Sequence, residues 1–210
     1  MKVIKNLLFI LLLTSCGEDG GYKESLKNEL KFGWIMYFIL YGTRPIMVED
    51  MMNGSVIAKS KSTEGDIVVY YYKKCLQGQV YRQAENDCQG TGSESDNYGA
   101  VQLQYCDKAD NSCNGGKDYV TLNGSGSSEA YDSCNSDTLL NRKWKVSNSF
   151  GEIFDSPYKN TIYSHIVYKG LKIWSSYSGA SKVAKYVEPQ IYSDYANKTN
   201  RLYVLCSSDE

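Results

Sequence analysis

The residues most able to do chemistry are few and far apart. His165 is the one imidazole in the chain, and nucleophilic catalysis needs such a base beside a Ser, Thr or Cys. Its setting, Ser164-His165-Ile166-Val167-Tyr168, reads as a strand pattern, and the Gly-x-Ser-x-Gly turn is absent. Glu152 and Asp155 are a conceivable carboxylate pair for hydrolysis, but on a short helix they face solvent. There is no Walker loop and no dinucleotide fingerprint. Asp110-Asn111-Ser112-Cys113-Asn114-Gly115 sets oxygen-bearing side chains at alternate positions before a glycine, as calcium loops do. Its twelfth position is Thr121 rather than Glu, which leaves the loop short of an anionic ligand. No C-x2-C pair exists and His165 is far from any Cys, so the cysteines do not read as a zinc set. The expectation is a chain that is not an enzyme, with no catalytic residues, no metal and no cofactor.

Binding is the other chemistry. Residues 135–206 carry ten basic against five acidic side chains. Arg142, Lys143, Lys145, Lys169, Lys172, Lys182 and Lys185 are the ligand-binding candidates. Interleaved with tyrosine, they could hold a sulfated or acidic polysaccharide by charge and by stacking. The competing reading makes them ordinary surface charges that protect strand edges. The acidic stretch 75–134, with nine carboxylates and three basic residues, could also neutralise them within the molecule. The overall charge of −1 gives no bias toward nucleic acid.

The elements that must position these groups are mostly strands. Tyrosine is abundant, with 19 residues against 5 Phe and 3 Trp, and it favours half-buried strands. Residues 66–72 form the clearest strand, and 101–105, 161–168, 171–176, 184–187 and 202–206 are expected to be short ones. One short helix is expected at 149–155. Residues 46–64 read as loop, with a turn at Asn53-Gly54-Ser55. The apolar block 32–41, too short to cross a bilayer as a helix, is either a buried element or a docking surface. The fold class is therefore α+β: a compact strand-rich domain with few short helices.

The N-terminus gives an address. Met1-Lys2-Val3-Ile4-Lys5, the apolar run Leu7–Leu13 and Leu13-Thr14-Ser15-Cys16 resemble a bacterial lipoprotein signal. The resemblance implies a signal peptide at 1–15, lipidation of Cys16, an acidic tether over 16–31, and a chain held at a bacterial envelope, at the outer membrane or cell surface. Setting Cys16 aside leaves Cys75, Cys88, Cys106, Cys113, Cys134 and Cys206 in an oxidising compartment. Six cysteines allow 15 connectivities. The expected set is Cys75–Cys88 and Cys106–Cys113, which close short loops, with Cys134–Cys206 pinning the two ends of the basic part.

Three groups of residues resemble one family. They are Lys74-Cys75-Leu76-Gln77-Gly78-Gln79-Val80-Tyr81 with Asp87-Cys88-Gln89-Gly90-Thr91-Gly92, then Trp144-Lys145-Val146-Ser147-Asn148 with Glu152-Ile153, then Ile173-Trp174-Ser175-Ser176 with Arg201-Leu202-Tyr203-Val204-Leu205-Cys206. Together they are similar to the Lcl C-terminal family, the C-terminal domain of a bacterial collagen-like adhesin that is also found in bacterial lipoproteins. Ser147 and Asn148 replace the family's Pro and Thr, and Glu152 sits one position late. The resemblance covers roughly 68–206 and implies an extension at 32–67 followed by one domain at 68–210. It also implies a C-type-lectin-like fold and a non-enzymatic adhesin for acidic glycans or host matrix. Trp144 and Trp174 read as core aromatics in either case. The alternatives are a structural envelope lipoprotein that binds another surface protein, and an envelope hydrolase.

Overall fold

The computed structural model describes residues 47–61, 66–148, 150, 153, 162–167, 169–189 and 192–209. The expected signal peptide, Cys16, the tether and the apolar block 32–41 lie outside the described residues. So do Glu152, Asp155 and most of the expected helix at 149–155. Everything described belongs to one compact unit, Ile46–Glu210.

Two five-stranded sheets and a few short helices build this unit. In the first sheet, β1 (Met47–Asp50), β2 (Ser55–Lys61) and β3 (Ile67–Lys73) form an antiparallel meander, and β10 (Cys206–Ser208) and β5 (Lys145–Val146) complete the order β1-β2-β3-β10-β5. The second runs β4 (Gln102–Gln104), β9 (Arg201–Val204), β6 (Ile173–Ser178), β7 (Val183–Glu188), β8 (Tyr192–Asn197). All its pairs are antiparallel except β6 with β9. The chain changes sheet at Leu205. Val204 and Cys206 pack in one core cluster with Tyr105, Trp144 and Trp174, while Leu205 packs in the other with Val56, Tyr72 and Ile173. Alternation along a strand sends neighbours to opposite faces, so this one stretch stitches both cores.

The expected strands at 66–72, 101–105, 171–176, 184–187 and 202–206 are present with small shifts of boundary. Two expectations are corrected. Residues 46–64 are not a loop: they contain β1 and β2, joined by a turn in which Asn53 Oδ1 accepts from the Ser55 N–H at 3.1 Å and Gly54 has φ +85°. Val56 and Ala58 alternate into the core, but the Met-Val-Glu-Asp of β1 and the lysines of β2 hide the pattern in the sequence. The compact unit accordingly starts well before residue 68. The second correction is at 161–168, where α2 (Ser164–Val167) stands in place of a strand. Ile162, Tyr163 and Ile166 all enter the first core, which is helical spacing, whereas the alternating reading required Ile162 and Tyr163 to diverge.

The helix α1 (Glu129–Asn135) was not expected. Ser128 caps it by accepting from the Tyr131 N–H at 3.0 Å, with Glu129 and Asp132 in the first turn. It carries Cys134 to Cys206. The disulfides are Cys75–Cys88, Cys106–Cys113 and Cys134–Cys206, with Cα–Cα separations of 5.4, 5.7 and 5.7 Å, inside the range a bridge requires. Both motif tryptophans are buried, and each indole N–H finds a carbonyl at 2.8 Å: Trp144 on Leu139, Trp174 on Leu103.

Candidate functional site

The seven basic candidates are spread over both sheets and their connections. In the stretch leading into β5, the Arg142 guanidinium lies 3.3 Å from the centroid of the Tyr71 ring, a close cation–π stack. Lys143 beside it is exposed. Lys145 of β5 pairs with Asp209 at 2.6 Å. Lys169 donates to the Glu94 carbonyl at 3.0 Å, sits 3.7 Å from the Glu94 carboxylate, and lies over the Tyr98 ring at 5.4 Å. Lys172 lies over Tyr186 at 5.2 Å. The acidic segment does neutralise part of the basic one, through Lys169–Glu94 and through Arg201–Glu129 at 2.6 Å.

Lys182 and Lys185 differ. Among the described residues neither makes an ion pair. Lys185 of β7 lies directly opposite Tyr195 of β8, which puts both on one face of the second sheet. Tyr195 is 48% exposed. Its ring lies so close to Gly179 that a Cβ there would meet Cε1 at 2.7 Å, which explains the glycine. On the other side of Gly179, its carbonyl accepts from the Tyr119 N–H at 2.9 Å. Tyr119 is 63% exposed and holds φ +57°, an uncommon backbone state for a tyrosine. Tyr195 thus adjoins Lys185 across the β7–β8 register, and Lys182 lies in the β6–β7 connection that the Tyr119 backbone meets at Gly179. Tyr119, Gly179 and Tyr195 were not singled out in the sequence. The signal for them was only the general excess of tyrosine.

The calcium-like loop already holds a cation, and that cation belongs to the protein. Lys198 is fully buried, and its ammonium donates to the Asn111 Oδ1 at 2.7 Å, the Asp110 carbonyl at 3.0 Å and the Asn114 Oδ1 at 3.2 Å. Burial pulls its pKa down from the ordinary lysine value, against the nearby carboxylates of Asp118 and Asp110, which raise it. The Cys106–Cys113 bridge fixes the loop around it. Among the described residues no group of three or more His, Cys, Asp or Glu is placed to hold a metal ion.

A second buried lysine anchors β3 to the hairpin. Lys74 donates to Asp50 at 2.5 Å and to the Asn86 carbonyl at 2.7 Å, and Asn86 bonds Asp50 at 2.9 Å and Tyr81 at 2.7 Å. Burial would raise the Asp50 carboxyl, but its bonds from Lys74, the Met52 N–H and Asn86 hold it below the usual range. His165 lies near this cluster. Burial, with the Lys74 charge adding to it, pushes its pKa down to about 4. Its Nε2 is buried with no hydrogen-bond partner, and no described serine or cysteine hydroxyl or thiol bonds it.

A depression of about 260 Å³ opens where β3, β5 and β10 meet, lined by Tyr70, Tyr72, Lys145, Ser147, Asn148 and Ser207–Asp209. No described helix is long and apolar enough to cross a membrane. No protein-family model, curated protein or solved structure matches the chain.

Proposed function

We propose that this chain is a non-enzymatic binding module, lipid-anchored through Cys16 at a bacterial envelope, that holds acidic polysaccharide of the host-matrix type. The observation that carries the reading is the exposed Tyr195 ring opposite Lys185 in the β7–β8 register, with Lys182 and the exposed Tyr119 at the neighbouring β6–β7 connection and neither lysine making an ion pair among the described residues. Sulfate or carboxylate groups pair with the ammonium ions, and sugar faces stack on the phenols. The adhesin-like family and its C-type-lectin-like fold belong to the same reading and rest on the motifs at 74–92, 144–153 and 173–206.

Retention of the mature protein on immobilised heparin tests the proposal. Binding should be present at low salt and fall as salt screens it, and Lys182→Ala with Lys185→Ala should abolish it while leaving the melting temperature unchanged. No retention at low salt would remove the reading. The anchor has its own test: metabolic labelling with palmitate should mark the wild type and not Cys16→Ala.

A further inference from the structure

The depression on the first sheet is chemically unlike the lysine–tyrosine surface. Tyr70 and Tyr72 stand two apart on β3 and share a face. Ser207 pairs with Tyr72 on one side and with Lys145 on the other, so the β3-β10-β5 order alone assembles the floor. Ser147, Ser207 and Ser208 are buried there. At the rim, Lys145 and Asp209 are each about half exposed, with side chains 51% and 55% accessible, and they pair at 2.6 Å. The hydrogen bond from Lys145 holds the Asp209 carboxyl below the usual range, so that carboxyl is ionised at neutral pH. Asn148 completes the wall, with its carbonyl fixed by the Ser175 hydroxyl at 3.0 Å.

We propose that this depression binds a single uncharged sugar ring. One cation and one anion cancel, so the site offers no net charge to attract an anion. What it offers is a close-set donor and acceptor. A carboxylate accepts from two adjacent hydroxyls, and an ammonium donates to a third oxygen. The Asn148 amide gives a further neutral partner, and the half-buried Tyr70 ring gives an apolar face for the C–H side of a pyranose. The volume is below the ~300–1,000 Å³ of drug-sized pockets, which fits one ring rather than a chain. Opening the Lys145–Asp209 pair costs little, because both side chains are about half exposed and water screens the pair.

The test is a titration of the full mature chain, isotope-labelled for NMR, with glucose, galactose, mannose, rhamnose and N-acetylglucosamine, each alone. At least one should move the amide signals of Lys145, Asn148 and Ser207–Asp209 at millimolar concentration, leaving Tyr119 and Tyr195 in place. Asp209→Asn and Lys145→Met should each weaken that sugar by about tenfold, ~1.4 kcal/mol, with unchanged melting and unchanged heparin retention. The proposal is overturned if none of the five sugars shifts these signals. It is equally overturned if both variants bind like wild type, or if the shifts fall at Tyr119 and Tyr195 instead. Loss of heparin retention in the wild type would remove the acidic-glycan reading and leave this one standing.

Discussion

Four lysines of this chain divide into two kinds. Lys74 and Lys198 are buried, and each is surrounded by oxygen atoms of loops that would otherwise have nothing to converge on. Lys182 is exposed and Lys185 half-buried, with the exposed Tyr195 opposite Lys185. A buried ammonium is costly to desolvate and persists only when fully coordinated. A surface ammonium costs little and contributes little to stability. The two kinds should therefore separate cleanly under mutation, the first changing stability and the second changing affinity.

The largest effect is expected at Lys74. Lys74→Ala strands the Asp50 carboxylate beside Asn86, and breaking a buried pair from one side costs about 3–5 kcal/mol. The midpoint of urea unfolding should fall accordingly. Lys74→Ala with Asp50→Asn should recover part of the loss, because no unpaired charge remains. If the single variant unfolds like wild type, the Lys74 cluster is not a stability element and the division fails.

The same cluster should make the fold acid-sensitive through His165. Its pKa is about 4 when folded against 6.5 in the ordinary state, so between those values the unfolded chain binds the extra proton. Stability is then full above about pH 6.5 and falls as pH drops toward 4, by on the order of 3 kcal/mol. The groups facing the imidazole are Lys74, Asp87 and Lys169, and the two lysines oppose its protonation. His165→Gln should flatten the loss over that window, and denaturant midpoints at a series of pH values would show it. An unchanged slope in the variant would assign the acid sensitivity to the carboxylates instead.

Lys198 tests whether a calcium-like loop can be built on an internal ammonium. Lys198→Met keeps the stem and leaves the Asp110 carbonyl, Asn111 and Asn114 without their donor. The expected loss is about 2 kcal/mol. Methylammonium in the buffer should raise the melting temperature of this variant and not of the wild type, and calcium should do less, because the loop lacks its anionic twelfth ligand. Stabilisation by calcium but not by methylammonium would make the loop a metal site after all.

The contrast between these lysines could not be read from the sequence, although much of the frame could. The β-branched and aromatic run at 66–72 pointed to a strand, and the pairing expected for the six cysteines beyond Cys16 matches the three bridges. The loop sequence at 110–115 was recognisable, but its cation was not, because Lys198 lies more than eighty residues away. Likewise Lys185 and Tyr195 are neighbours only through the β7–β8 register, and Tyr119 meets Gly179 only through an isolated pairing beside β6. Composition tells how many tyrosines and lysines exist; register decides which of them adjoin. The helix α2 failed for a related reason. Over so few residues, the β-branched and aromatic Ile-Tyr-Ser-His-Ile-Val-Tyr suggests a strand by residue type, and only the core it faces shows the helical spacing of Ile162, Tyr163 and Ile166.

The smallest stability effect, and the sharpest functional one, is expected where the exposed rings meet the backbone. Gly179→Ala places a methyl group where the Tyr195 ring now lies, 2.7 Å from Cε1. The ring is on an edge strand and 48% exposed, so it can swing outward, and stability should change by less than about 0.5 kcal/mol, as for other surface changes. Stacking of a sugar on that ring would be lost, which should weaken heparin binding several-fold. Tyr195→Ala should match this loss, and the double variant should add nothing further, because both changes remove one contact. A Gly179→Ala protein that binds as well as wild type would show that the lysines act there by charge alone. The surface would then be an electrostatic patch with incidental tyrosines, and its affinity should follow salt in the Tyr195→Ala protein as steeply as in the wild type.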